Sequence, residues 1–144
     1  MLHALYCMLY AQEDDSESAE LKLIDFGFSV YAKDKKLRMF CGTPSYMAPE
    51  IVKRGEYRGK PVDMWSLGVV LYACLCGCFP FSAKTYPDLY KKIIRGYFHL
   101  PETMSHSVRD LLRNLLLPDP NRRFASIVAP QIRCNNVAAR ILFD

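Results

Sequence analysis

The 144-residue sequence predicts a mainly α-helical body that carries a small β-hairpin and one long loop. Two short strand-like runs flank an acidic, polar stretch near the N-terminus. A segment containing several glycines and prolines follows without periodicity. Beyond Pro61 the apolar residues fall into helical spacing.

Met8-Leu9-Tyr10 and Leu21-Lys22-Leu23-Ile24 read as the paired strands, with "AQEDDSESAE" as their connection. That acidic stretch reads as a solvated loop, with a phosphorylated tract through Ser16 and Ser18 as the alternative reading. Residues 28–60 contain Gly42, Pro44, Pro49, Gly55 and Gly59 and read as a long loop, which in a compact domain is usually functional or disordered. Pro61 suits a first helical turn, Gly77 a C-terminal cap and Pro80 a stop. The helix between them is apolar nearly all round, so it is expected at the centre. "PDLYKKIIRGYF" places Leu89, Tyr90, Ile93 and Ile94 on one face, closed by Gly96. Val108, Leu111, Leu112, Leu115 and Leu116 follow a helical period, with Ser107 as N-cap and Pro118 as the stop. After Phe124 the pattern fades, and residues 127–144 read as a divergent tail. There are no repeats and no sign of a second domain.

Composition is ordinary for a globular chain, with 51% apolar and 24% charged residues. The net charge of +4 reads as mild and spread out, which speaks against nucleic-acid binding. The six cysteines include no CxxC pair, and Cys74, Cys76 and Cys78 alternate along a helix, unsuited to joint ligation. They read as buried core thiols in an intracellular, cytoplasmic protein. Met1 to Ala11 has no basic flank and makes a poor signal peptide. Residues 64–81 are uncharged and just reach the spanning minimum of about 17 residues. Gly77, Pro80 and the bordering Asp63 favour a buried helix there over a membrane span.

The chemistry starts at "LIDFGFSV", which sets Asp25-Phe26-Gly27 after an apolar strand. Alone, Asp25 is a turn former ahead of a glycine. Sixteen residues later comes "CGTPSYMAPE", Cys41 to Glu50, and thirteen beyond that begins "DMWSLGVVLY", Asp63 to Tyr72. "GCFPF" and "LLLPDPNRR", Leu115 to Arg123, complete an ordered set. In order and spacing, residues 8–126 closely resemble the C-terminal lobe of a eukaryotic protein kinase. The Thr43-Pro44…Tyr46 version is that of serine/threonine kinases, and residues 90–123 look most like the calcium/calmodulin-dependent and AMP-activated kinase group.

The resemblance implies a role for each motif. Asp25 would ligate the magnesium that bridges ATP phosphates, since a hard cation takes a hard oxygen. Phe26 would set whether Asp25 faces the metal, and Gly27 would permit the turn. Residues 28–40 would form the activation loop. Gly42, Thr43, Pro44 and Tyr46 would form the shelf that receives a protein substrate. Glu50 would pair with Arg123, Asp63 would hold the catalytic loop by backbone hydrogen bonds, and Trp65 would be structural. The cofactor of the complete fold would be Mg-ATP, and the partners would be proteins rather than nucleic acid or membrane.

The sequence also departs from the family. No GxGxxG loop or VAIK-type lysine precedes Asp25. Counting back from Met8-Leu9-Tyr10 sets Leu2 at the catalytic aspartate position and Cys7 at the asparagine position. Leucine cannot accept a hydroxyl proton, and a thiol is a poor magnesium ligand. Met39 stands where related kinases often carry a phosphorylatable threonine. These departures give the expectation of a kinase C-lobe with no catalytic residues of its own. Such a chain would be inactive, would not bind Mg-ATP tightly, and would be prone to aggregate or seek a partner. A truncated transcript, an alternative start or a mis-joined gene is the expected reason for the abrupt ends. A non-catalytic binding module or pseudokinase remnant is the alternative.

Overall fold

A computed structural model describes residues 2–4, 8–12, 20–24, 26–32 and 35–124. Strands β2 (Met8–Gln12) and β3 (Glu20–Ile24) pair antiparallel, with Met8 opposite Ile24 and Gln12 opposite Glu20. A second antiparallel pair joins β1 (Leu2–Ala4) to β4 (Ser29–Tyr31), with His3 opposite Val30. This second pair was not legible in the sequence, because three-residue strands are too short to show alternation.

The segment read as one long loop contains order of its own. Besides β4 it holds a 3-10 turn, Pro44–Tyr46, and a short helix α1, Pro49–Val52. Both start with proline, whose fixed φ suits a first helical position. Tyr57 and Leu37 then form an isolated antiparallel bridge, exchanging N–H to O bonds of 2.8 and 3.0 Å.

Helix α2 spans Gly59–Cys76 and is closed by Gly77 at φ 68°, a left-handed position suited to glycine. Trp65, Val62 and Val69 are fully buried on it, and α4 (His106–Leu115) packs against its length. The contact is close at Gly68, where an added Cβ would meet Leu115 Cβ at 2.8 Å. Helix α3 (Tyr86–Arg95) buries Leu89 and Ile93 against α1 and ends at Gly96, φ 69°. Two apolar clusters result. One gathers Met47, Ile51, Tyr57, Trp65, Phe81 and Ile93 around the start of α2, and the other joins Leu71 and Tyr72 to Leu111, Leu112 and Leu115.

Three sequence readings need correction. Ser105, not Ser107, caps α4: its hydroxyl accepts from Val108 N–H at 3.4 Å. Ile94 is exposed rather than part of the buried face of α3. Among the described cysteines none is buried. Cys74 and Cys78 are exposed, and Cys41 and Cys76 are half-buried. The apolar run was read as uniformly interior, but the last turn of α2 emerges from the core. No helix among the described residues is long and apolar enough to cross a membrane.

Candidate functional site: a peptide shelf clamped to a central helix

The segment expected to form the shelf begins at Gly42, whose φ of 105° is disfavoured for any residue with a side chain. Thr43 follows in extended geometry and leads into the 3-10 turn, closed by Tyr46 N–H to Thr43 O at 3.0 Å and Met47 N–H to Pro44 O at 3.2 Å. Ser66 on α2 donates its hydroxyl to Tyr46 O at 3.3 Å, tying the turn to the central helix. The Tyr46 ring meets Phe79 edge-on at 5.3 Å. An open groove of about 520 Å³ lies alongside, lined in part by Ser45, Phe79, Phe81, Tyr86 and Leu89. The sequence reading missed Ser66 and Phe79. Ser66 is the one serine or threonine on α2, and that was the available signal for it.

Immediately after the shelf, α1 presents Glu50 to Arg123 across 73 positions of sequence. Arg123 Nη1 donates to Glu50 Oε1 at 2.7 Å and Nη2 to Oε2 at 3.0 Å. The remaining donors reach main-chain carbonyls: Nε to Leu117 at 2.9 Å, Nη1 to Pro61 at 2.7 Å and Nη2 to Pro118 at 3.4 Å. A guanidinium offers five N–H groups, so every one has an acceptor. The Arg123 side chain has 0% exposure and that of Glu50 9%. The guanidinium carbon also lies 5.0 Å from the Trp65 ring centroid, and Trp65 stacks on Phe81 at 5.5 Å. Asp119 shapes the turn that delivers Arg123, its carboxylate accepting from Asn121 N–H at 3.0 Å. One side chain thereby ties together the shelf exit, the start of α2 and the segment after α4.

Asp63 faces the interior one turn into α2, and burial raises its carboxyl to about 7. Phe26 and Phe28 are exposed, and a turn closed by Ser29 N–H to Phe26 O at 2.9 Å leads through Gly27 into β4. Asp25 and Cys7 lie outside the described residues. Leu2 falls on β1, beside Tyr31 of β4. Among the described residues no group of three His, Cys, Asp or Glu is placed to hold a metal ion.

The Protein kinase domain family matches residues 8–136. The chain belongs to that family. It is 42% identical over 113 residues to CBL-interacting serine/threonine-protein kinase 5 of Arabidopsis thaliana, covering 76% of this chain and 25% of that protein. Serine/threonine-protein kinase SIK1 of Rattus norvegicus is 42% identical over 115 residues, 79% of this chain and 14% of its own length. Probable serine/threonine-protein kinase MARK-A of Dictyostelium discoideum is 40% identical over 105 residues, 72% of this chain and 10% of its own. These relatives set the kinase-family chain with serine/threonine kinases of the AMP-activated-kinase-like group. It spans a quarter or less of the length of the curated relatives named here.

Proposed function

We propose that this chain is the peptide-shelf body, the C-lobe, of a serine/threonine protein kinase, whose full form transfers the γ-phosphoryl of Mg-ATP to protein hydroxyls. The observation that carries this reading is the clamp of Arg123 on Glu50, which anchors the exit of the 42–46 shelf to α2. A shelf fixed to a rigid helix holds a peptide backbone still, and positioning is most of what a protein contributes to phosphoryl transfer. In this reading Gly42, Thr43, Pro44 and Tyr46 receive the substrate, and Asp63 steadies the catalytic loop.

The family uses Mg-ATP, but the donor set in this chain fits the cation poorly. Asp25 supplies one hard carboxylate, whereas Cys7 offers a soft thiol where a second oxygen ligand is needed. Leu2 supplies no group able to orient a hydroxyl. We therefore assign no catalytic step to this chain alone.

Sequencing the transcript upstream of Met1 tests the enzyme reading. It predicts an in-frame glycine-rich loop, a strand lysine and an HRD-type loop. If the reading frame closes without them, the enzyme reading of the locus is lost. The second reading, a non-catalytic binding module, draws support from the Leu2 and Cys7 positions together with the exposed Phe26 and Phe28.

A further inference from the structure

The net charge of +4 is not spread out as the sequence reading had it. Residues 35–60 hold seven cationic side chains against two acids, Glu50 and Glu56, and Glu50 is already taken by Arg123. The bridge between Leu37 and Tyr57 brings the two basic runs, 35–38 and 53–60, side by side. Lys35, Lys36, Arg38, Lys53, Arg54, Arg58 and Lys60 are all exposed. Lys35, Lys53, Arg58 and Lys60 have no ion-pair partner among the described residues.

Two details show how this surface treats a ligand. Glu56 is held by Arg38, with Nη2 to Oε1 at 2.6 Å and Nε to Oε1 at 3.0 Å, and by Lys36 Nζ to Oε2 at 3.1 Å. Both cations hold its carboxyl below the usual carboxylate range. Arg54, in the left-handed region at φ 55°, lays its guanidinium 4.2 Å from the ring centroid of exposed Phe40. The patch thus already binds one side-chain carboxylate, and it keeps a planar cation stacked on an aromatic ring with its edge open to solvent.

We infer that the face formed by residues 35–40 and 53–60 docks an extended acidic peptide segment of a partner protein, with Glu56 standing in for one of the partner's carboxylates. Arg38 and Lys36 would exchange Glu56 for the ligand, while Lys53, Arg58 and Lys60 would take further carboxylates. Met39 and Phe40, both exposed, flank the cations and suit an apolar residue in the same segment. An acidic peptide fits better than a nucleic acid because the built example on this surface is a carboxylate. The inference does not depend on phosphoryl transfer.

The test uses the full chain and a fluorescein-labelled twelve-residue peptide of mixed Glu and Asp around one Phe, read by anisotropy. Saturable binding is expected, weakening about tenfold between low and moderate salt as the charges are screened. Arg38→Glu/Lys53→Glu/Lys60→Glu should weaken it at least about tenfold with an unchanged melting temperature, because all three side chains are exposed. Arg95→Glu/Arg113→Glu, which removes the same kind of charge elsewhere, should change it less than about twofold. Glu56→Gln should tighten binding several-fold, a gain that damage to the fold cannot mimic. Absence of saturable binding, equal loss in both charge-reversal variants, or weaker binding by Glu56→Gln would overturn the inference. So would tighter binding of a single-stranded oligonucleotide of equal charge, which would make this a nucleic-acid face.

Discussion

Replacing Arg123 by alanine strips five hydrogen bonds from a side chain with no solvent exposure. It leaves the Glu50 carboxylate buried without its counter-charge and three main-chain carbonyls short of a donor. Stranding a buried charge costs about 3–5 kcal/mol. Against a typical total of about 5–15 kcal/mol, that is about a fifth of the stability or more. For a chain of this size it corresponds to roughly 10–20 °C in Tm. Glu50→Gln keeps the shape and all three carbonyl acceptors, so a smaller loss of about 1.5–3 kcal/mol is expected. The double variant Glu50→Gln/Arg123→Ala removes both charges and should be less destabilised than the two single losses added together, by at least about 1 kcal/mol. Urea unfolding followed by circular dichroism, with a common m-value, measures all three. An Arg123→Ala chain within about 1 kcal/mol of the parent, or a strictly additive double variant, would refute the claim that this pair clamps the shelf to α2.

Other consequences are equally checkable. Gly68→Ala forces a methyl group into Leu115 and should cost about 1–3 kcal/mol, whereas an exposed alanine substitution of the same helix, such as Cys74→Ala, should be nearly neutral. Asp63 has a folded-state pKa of about 7 against about 3.9 unfolded, so its contribution to stability is full below pH about 4 and declines as pH rises toward 7. The parent should therefore lose Tm relative to Asp63→Asn across that window and run parallel to it above; parallel curves throughout would contradict the burial argument. In Ellman titration of the native chain, Cys74 and Cys78 should react promptly, and Cys74→Ala/Cys78→Ala should lower the number of fast-reacting thiols by two. If the fast phase keeps its full amplitude, the exposed end of α2 is wrongly described.

Elements with a strong apolar period were legible in the sequence. Leu111, Leu112 and Leu115 mark the inner face of α4, and Gly77 and Gly96 mark the ends of α2 and α3, because capping geometry selects glycine locally. What depends on distant partners was not legible. The 3-10 turn and α1 are too short to carry a period, and the one serine on α2 does not by itself point to its target, Tyr46 O. The cysteines misled for a different reason. Composition places free thiols inside, but only the path of α2 determines that Cys74 and Cys78 lie where the helix leaves the core. The basic face shows the same limit. Counting charges along the chain made them look dispersed, and it took the Leu37–Tyr57 bridge to gather them.

We propose that this chain holds a kinase-family peptide shelf without the groups that move a phosphoryl group. The most direct measurement is transfer of label from [γ-³²P]ATP with magnesium to a serine/threonine peptide library, using the 144-residue chain and its Asp25→Asn variant side by side. No incorporation above the no-protein background is expected of either chain. Incorporation by the parent that Asp25→Asn abolishes would come from this chain's own residues and would show that it moves a phosphoryl group after all.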